Sequence, residues 1–179
     1  MLAFLLSLAL AVGLTDAPVV RAIDSQDSKA QFSVSHIWVD RVTGTVPVLS
    51  GSVTLAPGSL IPAAATAQLD ATKIDTGEPD RDGQLKSPDF FDVKKFPTWT
   101  FVSAKVIPKS SNSFEMEGTL TIHGVAQPQR LNVTVGGDVA HPVYHATAEV
   151  DRHAFGMAVT RLDPTIGTTV EVKLDVALK

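Results

Sequence analysis

Apolar and polar residues alternate along most of this chain. In Thr168 to Leu178, Val170, Val172, Leu174, Val176 and Leu178 share one face, and Glu171, Lys173 and Asp175 share the other. A period of two is the mark of a half-buried strand. The same pattern sets Phe114, Met116, Leu120 and Ile122 against Glu115, Glu117, Thr119 and Thr121. It recurs with Leu131, Val133 and Val135, and again with Tyr144, Ala146, Ala148 and Val150. Further strands fit residues 30–38, with Phe32, Val34, His36 and Trp38 on one face, and residues 41–48, 51–55, 65–74 and 98–106.

Gly, Pro, Asn and Asp punctuate these runs at Pro57-Gly58, Pro108 to Asn112, Gly136 to Asp138 and Asp163-Pro164. About eight or nine strands at turn spacings near ten residues predict an all-β sandwich or barrel. Helix is confined to Asp80 to Phe91, consistent with one or two turns, and to a short Ala-rich stretch from Pro62 to Ala67 that merges into a strand. An eight-stranded barrel either packs its interior with side chains or holds one small ligand. Inward rows of Val and Leu serve both cases, and the pattern leaves the two open.

Composition narrows the function. A chain of 179 residues with 44% hydrophobic and 19% charged residues folds as one globular domain. A net charge of −4 argues against nucleic acid as partner, because phosphate neutralisation needs a basic surface. The absence of cysteine excludes disulfides, thiol nucleophiles and thiolate metal sites. Leu2 to Leu14 carries no charge and is too short for a bilayer span, which requires about 20 apolar residues. It reads as the core of a secretory leader covering residues 1–22, with small side chains at Val20 and Ala22, although no Lys or Arg follows Met1. The expected product is a single domain of residues 23–179, periplasmic or secreted.

Little in the chain suggests catalysis or metal binding. His141 and His145 sit about 13 Å apart if on a strand, too far to share a metal. Ser35 and His36 point to opposite faces of one strand, so they cannot act as nucleophile and base. His36, between Val34 and Trp38, has two readings: a core histidine with one hydrogen-bond partner, or a group that meets a ligand. Arg81 and Asp82 read as a turn with local charge pairing. Five of the eleven aromatic residues, Phe90, Phe91, Phe96, Trp99 and Phe101, crowd into Arg81 to Phe101.

The order of motifs carries a resemblance. FSVSH and VTG are followed by DTGEPDRDGQLKSPDFFDVKKFPTWTFVS, then GTLTIHGVAQP and DRHAFGM. This order, spread from Phe32 to Leu178, resembles the YceI-like family of exported lipid-binding proteins. The resemblance implies an extended, eight-stranded antiparallel β-barrel, lipocalin-like, with one short helix and a long apolar tunnel. Two places depart from the family pattern: Gln84 stands where His is usual, and His153-Ala154 where a small polar and an acidic residue are usual.

The implied function is non-covalent binding, for storage or transport, of a polyisoprenoid or other long-chain amphiphile. Phe32, Val34, Trp38, Trp99, Phe101, Leu120, Ile122 and Phe155 would face the ligand, with Phe90 and Phe91 near one end and His36, Arg81 and Asp82 at its head. No catalytic residue, metal or cofactor is expected. The expected partners are the lipid and, transiently, a membrane or membrane protein; the oligomeric state stays open. Two alternatives remain: an enzyme acting on an isoprenoid or quinone precursor through His36, and a filled barrel serving as a structural module.

Overall fold

The alternating segments pair into one antiparallel sheet of ten strands, seen in a computed structural model that describes residues 17–38, 40–157 and 163–179. In chain order they are β1 (Val19–Ala22), β2 (Lys29–His36), β3 (Asp40–Thr45), β4 (Val48–Leu55) and β5 (Pro62–Asp70), then β6 (Thr98–Pro108), β7 (Ser113–Ile122), β8 (Val125–Gly137), β9 (Pro142–Asp151) and β10 (Ile166–Ala177). Among the described residues the one α-helix, α1 (Pro79–Lys86), lies between β5 and β6, and short 3-10 turns follow β5 and β9. The all-β reading is correct.

Hydrogen bonding runs β1-β4-β5-β6-β7-β8-β9-β10-β2-β3. Its two ends are joined through the chain, since β1 leads into β2 and β3 into β4. Ala22 pairs with Ser52 in the first half of that long hairpin, and Gln31 pairs with Thr45 in the second. Across the breaks, Ile23 N–H donates to Gly51 and Val46 N–H donates to Ala30. An isolated bridge from Ile23 to Leu178 ties the same strand to β10. Ten strands therefore stand where eight were expected, because two of the eight are each broken in the middle. Segment Ser25 to Asp27 leaves the ladder as a turn in one, and the proline at Pro47, which has no N–H to donate, interrupts the other.

This winding sorts the connections onto two ends. The tip after β2, the long β5–β6 connection, the described residues 152–157 and 163–165 between β9 and β10, and the His123-Gly124 turn lie together. The latter is a two-residue hairpin with positive φ at both positions (54° and 74°), which Gly124 meets without strain. The opposite end holds the β4–β5, β6–β7 and β8–β9 turns, the start of β1 and the end of β10. Inward residues form two buried clusters: a large one with Phe101, Phe114, Met116, Val133 and Tyr144, and a smaller one with Ile122, Val150, Phe155 and Met157.

Candidate functional site: an apolar cavity inside the barrel

The inward rows do not meet across the axis. They enclose a cavity of about 310 Å³, bounded by residues from β2 to β10 together with α1 and the segment after it. Its wall is almost wholly apolar, from Tyr144 and Phe114 at one end to Trp99 and Phe91 at the other. The first end is shut. Tyr144 Oη donates to the Leu60 carbonyl at 3.1 Å, the Phe114 ring meets Tyr144 edge-on with centroids 6.3 Å apart, and Pro142 is completely buried beside them. Burial raises the Tyr144 phenol above its ordinary pKa.

Large rings leave room because of what they lie on. Phe32 faces Gly44 across the β2–β3 ladder, and a Cβ at position 44 would stand 2.5 Å from Phe32 Cζ. Gly118, diagonal to Phe101 across the β6–β7 ladder, makes room for that ring, whose Cζ would be 2.6 Å from an added Cβ. Both rings thus fold flat against the wall over a residue without a side chain, the arrangement by which aromatic residues cover glycines in sheets. Either ring standing upright would fill the lumen.

The other end is covered by a lid. Outside one bridge from Thr45 to Asp75, β3 has a single ladder neighbour, and the span beside it is closed by α1 and residues 87–97. Pro79 opens α1 in the first turn, where its missing N–H costs nothing. No residue of α1 is buried, so tertiary packing contributes little to hold it. Polar contacts to Thr76 do so instead. Asp82 accepts from the Thr76 amide at 2.9 Å and from its hydroxyl at 2.6 Å, while Arg81 donates to the Thr76 hydroxyl at 2.8 Å and carbonyl at 3.0 Å. The charges of Arg81 and Asp82 are brought together through Thr76 rather than by a direct pair.

Beyond α1 the chain turns on itself, with the Phe90 and Asp92 amides donating to Ser87 and the Phe96 amide to Asp92. The turn presses aromatic residues downward. Phe90 is buried, Phe91 stacks obliquely on Trp99 with centroids 4.6 Å apart, and Phe96 meets His123 edge-on at 5.1 Å. Trp99 Nε1 is buried with no hydrogen-bond partner, a state reached by few buried donors.

Arg152, at 6% exposure, gathers the described residues on either side of 158–162. Its guanidinium donates to the carbonyls of Met157, Asp163, Ile166 and Gly167 and pairs with the Asp163 carboxylate at 2.6 Å. Only the five-donor fork of Arg can serve so many acceptors at once. Arg152, then His153 Nε2 at 2.9 Å, hold the Asp163 carboxyl below the ordinary carboxylate range. Sequence reasoning assigned Arg152 no role, since its acceptors lie up to fifteen residues away and leave no local pattern.

Of the residues expected to face a ligand, Phe32, Val34, His36, Arg81, Phe90, Phe91, Trp99, Phe101, Leu120 and Ile122 bound the cavity. Three do not. Trp38 is 68% exposed, because β2 ends at His36 and the alternation no longer sets direction in the turn beyond. Asp82 points to Thr76, away from the lumen. Phe155, 1% exposed on a 3-10 turn, packs against the wall residues Val150 and Met157 without itself bounding the cavity. Other wall residues went unassigned, among them Met116, Leu131, Val133, Tyr144, Ala148 and Leu174, although each shares an inward row that the alternation marks. His36 Nδ1 accepts from the Trp38 amide at 3.3 Å, which leaves Nε2 as the ring's donor.

Comparison with known proteins agrees with this architecture. A protein of Vibrio vulnificus in the group named UPF0312 is 30% identical over 125 residues, covering 69% of this chain and 66% of that protein. One from Vibrio cholerae is 29% identical over 112 residues, and the match spans 59% of that protein's length. Among solved structures, Burkholderia cenocepacia BcnA superposes with a TM-score of 0.79 at 25% identity, covering 88% of this chain and 99% of that one. A polyisoprenoid binding domain from Saccharophagus degradans superposes with a TM-score of 0.69 at 17% identity, covering 88% and 97%. Residues 22–178 match the YceI-like domain from one end of the barrel to the other, and the chain belongs to the YceI-like family.

Proposed function

We propose that this protein binds a polyisoprenoid or another long-chain amphiphilic lipid non-covalently inside the barrel, as a carrier or store. The observation that carries this reading is the cavity itself, walled by apolar side chains and shut at the Tyr144 end. Each methylene moved from water into such a space contributes about 0.8 kcal/mol, so a long tail outweighs any one polar contact. The likeness to a polyisoprenoid binding domain supports the same ligand class. Of the polar residues that bound the lumen, His36, Arg81, Gln84 and Arg152 lie at the lid end, where a head group would rest, while Gln31, Thr66 and Gln129 lie along the wall. The thirteen uncharged residues Leu2 to Leu14 support export, and with it a role in the periplasm or outside the cell.

The test is native mass spectrometry with lipid extraction, on protein purified without detergent from its own compartment. A co-purifying long-chain amphiphile, reduced when Ala146→Trp fills the lumen, is the expected result. Protein that is folded yet carries no amphiphile, and takes none up from a lipid extract, would sink the proposal.

A further inference from the structure

The strongest exposed apolar feature among the described residues stands at the lid end of the barrel. Ile37 and Trp38, at the tip after β2, are each 68% exposed. The Trp38 ring lies 5.4 Å from the ring of His36, which itself bounds the cavity. An apolar path therefore runs from Val34 past His36 to a tryptophan in solvent. The tip is held in shape: the Ile37 amide donates to the Thr165 carbonyl at 3.1 Å, and the Trp38 amide to His36 Nδ1.

We infer that Ile37 and Trp38 form an insertion point that seats the lid end of the barrel on the surface of a neutral phospholipid bilayer. Two arguments select this occupant. One is area. A stable protein–protein interface buries about 800 Å² per partner. A tryptophan supplies about 250 Å² at most, and the neighbouring Ser35 and Arg41 are polar. A bilayer needs only such isolated anchors, and tryptophan favours its interfacial zone. The other is continuity: the tip touches a wall residue of the cavity, so an inserted tip sets the lumen beside the membrane. This second argument rests on the lipid-binding reading; the exposure of the tip does not. The other exposed apolar pair, Val19 and Val20, sits at the opposite end of the barrel and lacks an aromatic residue.

Tryptophan fluorescence of the full chain tests the inference, using phosphatidylcholine vesicles with brominated acyl chains against unbrominated ones. Reading the vesicle-bound fraction isolated by flotation reports where Trp38 sits, whatever brings the chain to the membrane. The expected result is at least twofold quenching by bromine, lost in Trp38→Phe, which keeps only the Trp99 signal. Ile37→Asp, which sets a charge beside the anchor, should lower the quenching at least twofold, and Val20→Ser should leave it unchanged. Absent quenching, or equal quenching in Trp38→Phe, overturns the inference and leaves the tip to a protein partner. Circular dichroism confirms folding of each variant. Lipid content of the same samples separates the two readings: quenching by a barrel that carries no lipid upholds insertion while the ligand proposal fails, and a loaded barrel without quenching does the reverse.

Discussion

The Phe32 ring lies so close to Gly44, its partner across the ladder, that a Cβ at position 44 would fall 2.5 Å from Phe32 Cζ and 2.8 Å from the Asp75 carbonyl. Gly44→Ala must therefore push the ring off the wall and into the lumen. The expected outcome is a smaller cavity and less bound amphiphile per barrel, at a stability cost of about 1–3 kcal/mol for the added methyl group. Lipid extraction alongside a denaturant titration checks both. Undiminished loading in the folded variant would show that Phe32 does not set the cavity's width.

Trp99 separates a size effect from a polarity effect. Trp99→Phe removes a buried donor that has no partner, so the lost desolvation penalty offsets lost packing, and stability should stay within about 1 kcal/mol of the parent. Trp99→Ala removes the surface that Phe91 stacks on and widens the lumen under the lid. It should lower stability by about 3 kcal/mol and speed ligand loss. Thermal melts and the rate of ligand transfer to acceptor vesicles distinguish the pair.

Thr76 joins the lid to the barrel. Thr76→Val keeps the shape of the side chain but deletes the hydroxyl that donates to Asp82 and accepts from Arg81. A hydrogen bond to a charged group contributes about 1.5–3 kcal/mol. Amide exchange in 79–97 should therefore accelerate at least tenfold, with little change in β7 to β9. Hydrogen-exchange mass spectrometry reads this directly, and uniform acceleration across the barrel would contradict it.

Acid and alkali should act at opposite ends. Asp163 is held below its ordinary pKa by Arg152 and His153. Its stabilising contribution is present above the unfolded carboxylate value, about 3.9, and is lost as pH falls through the lower folded value. Asp163→Asn should flatten the melting temperature between pH 6 and pH 3 and reduce it at pH 6. Tyr144 is raised by burial. Its contribution persists below about pH 10 and is lost as pH rises through the folded value, a loss that Tyr144→Phe should remove.

β1 lies within the segment expected to be a leader, and this bears on where a leader would be cut. Val19 to Ala22 pair with Leu55 to Ser52, and Arg21 bonds the carbonyls of Ala140 and Lys179. A chain starting at residue 23 loses this strand and leaves one edge of β4 bare; one starting at residue 18 keeps it. The longer form should melt several degrees higher, as a calorimeter can show.

Most of the barrel could be read in advance where strands have one wet and one dry face, as in β7, β9 and β10. The reading failed where that contrast is missing. β1 hides beside an apolar run, and Trp38 follows the parity of β2 past the strand's last residue. Phe155 looks like a cavity residue in its motif, yet on its 3-10 turn it packs against wall residues without bounding the cavity. The resting place of Phe32 and Phe101 was invisible because it depends on which glycine stands across the ladder, and register is set by tertiary pairing rather than by local pattern.

A lid helix with no buried residue of its own has a kinetic consequence. Parting any two strands of this barrel breaks a row of backbone bonds, but lifting α1 breaks few beyond those to Thr76. The residence time of a guest is then governed by the short helix and the aromatic turn that follows it, and not by the stability of the container. Substitutions between residues 76 and 97 can shorten or lengthen that residence by orders of magnitude while the barrel melts at the same temperature.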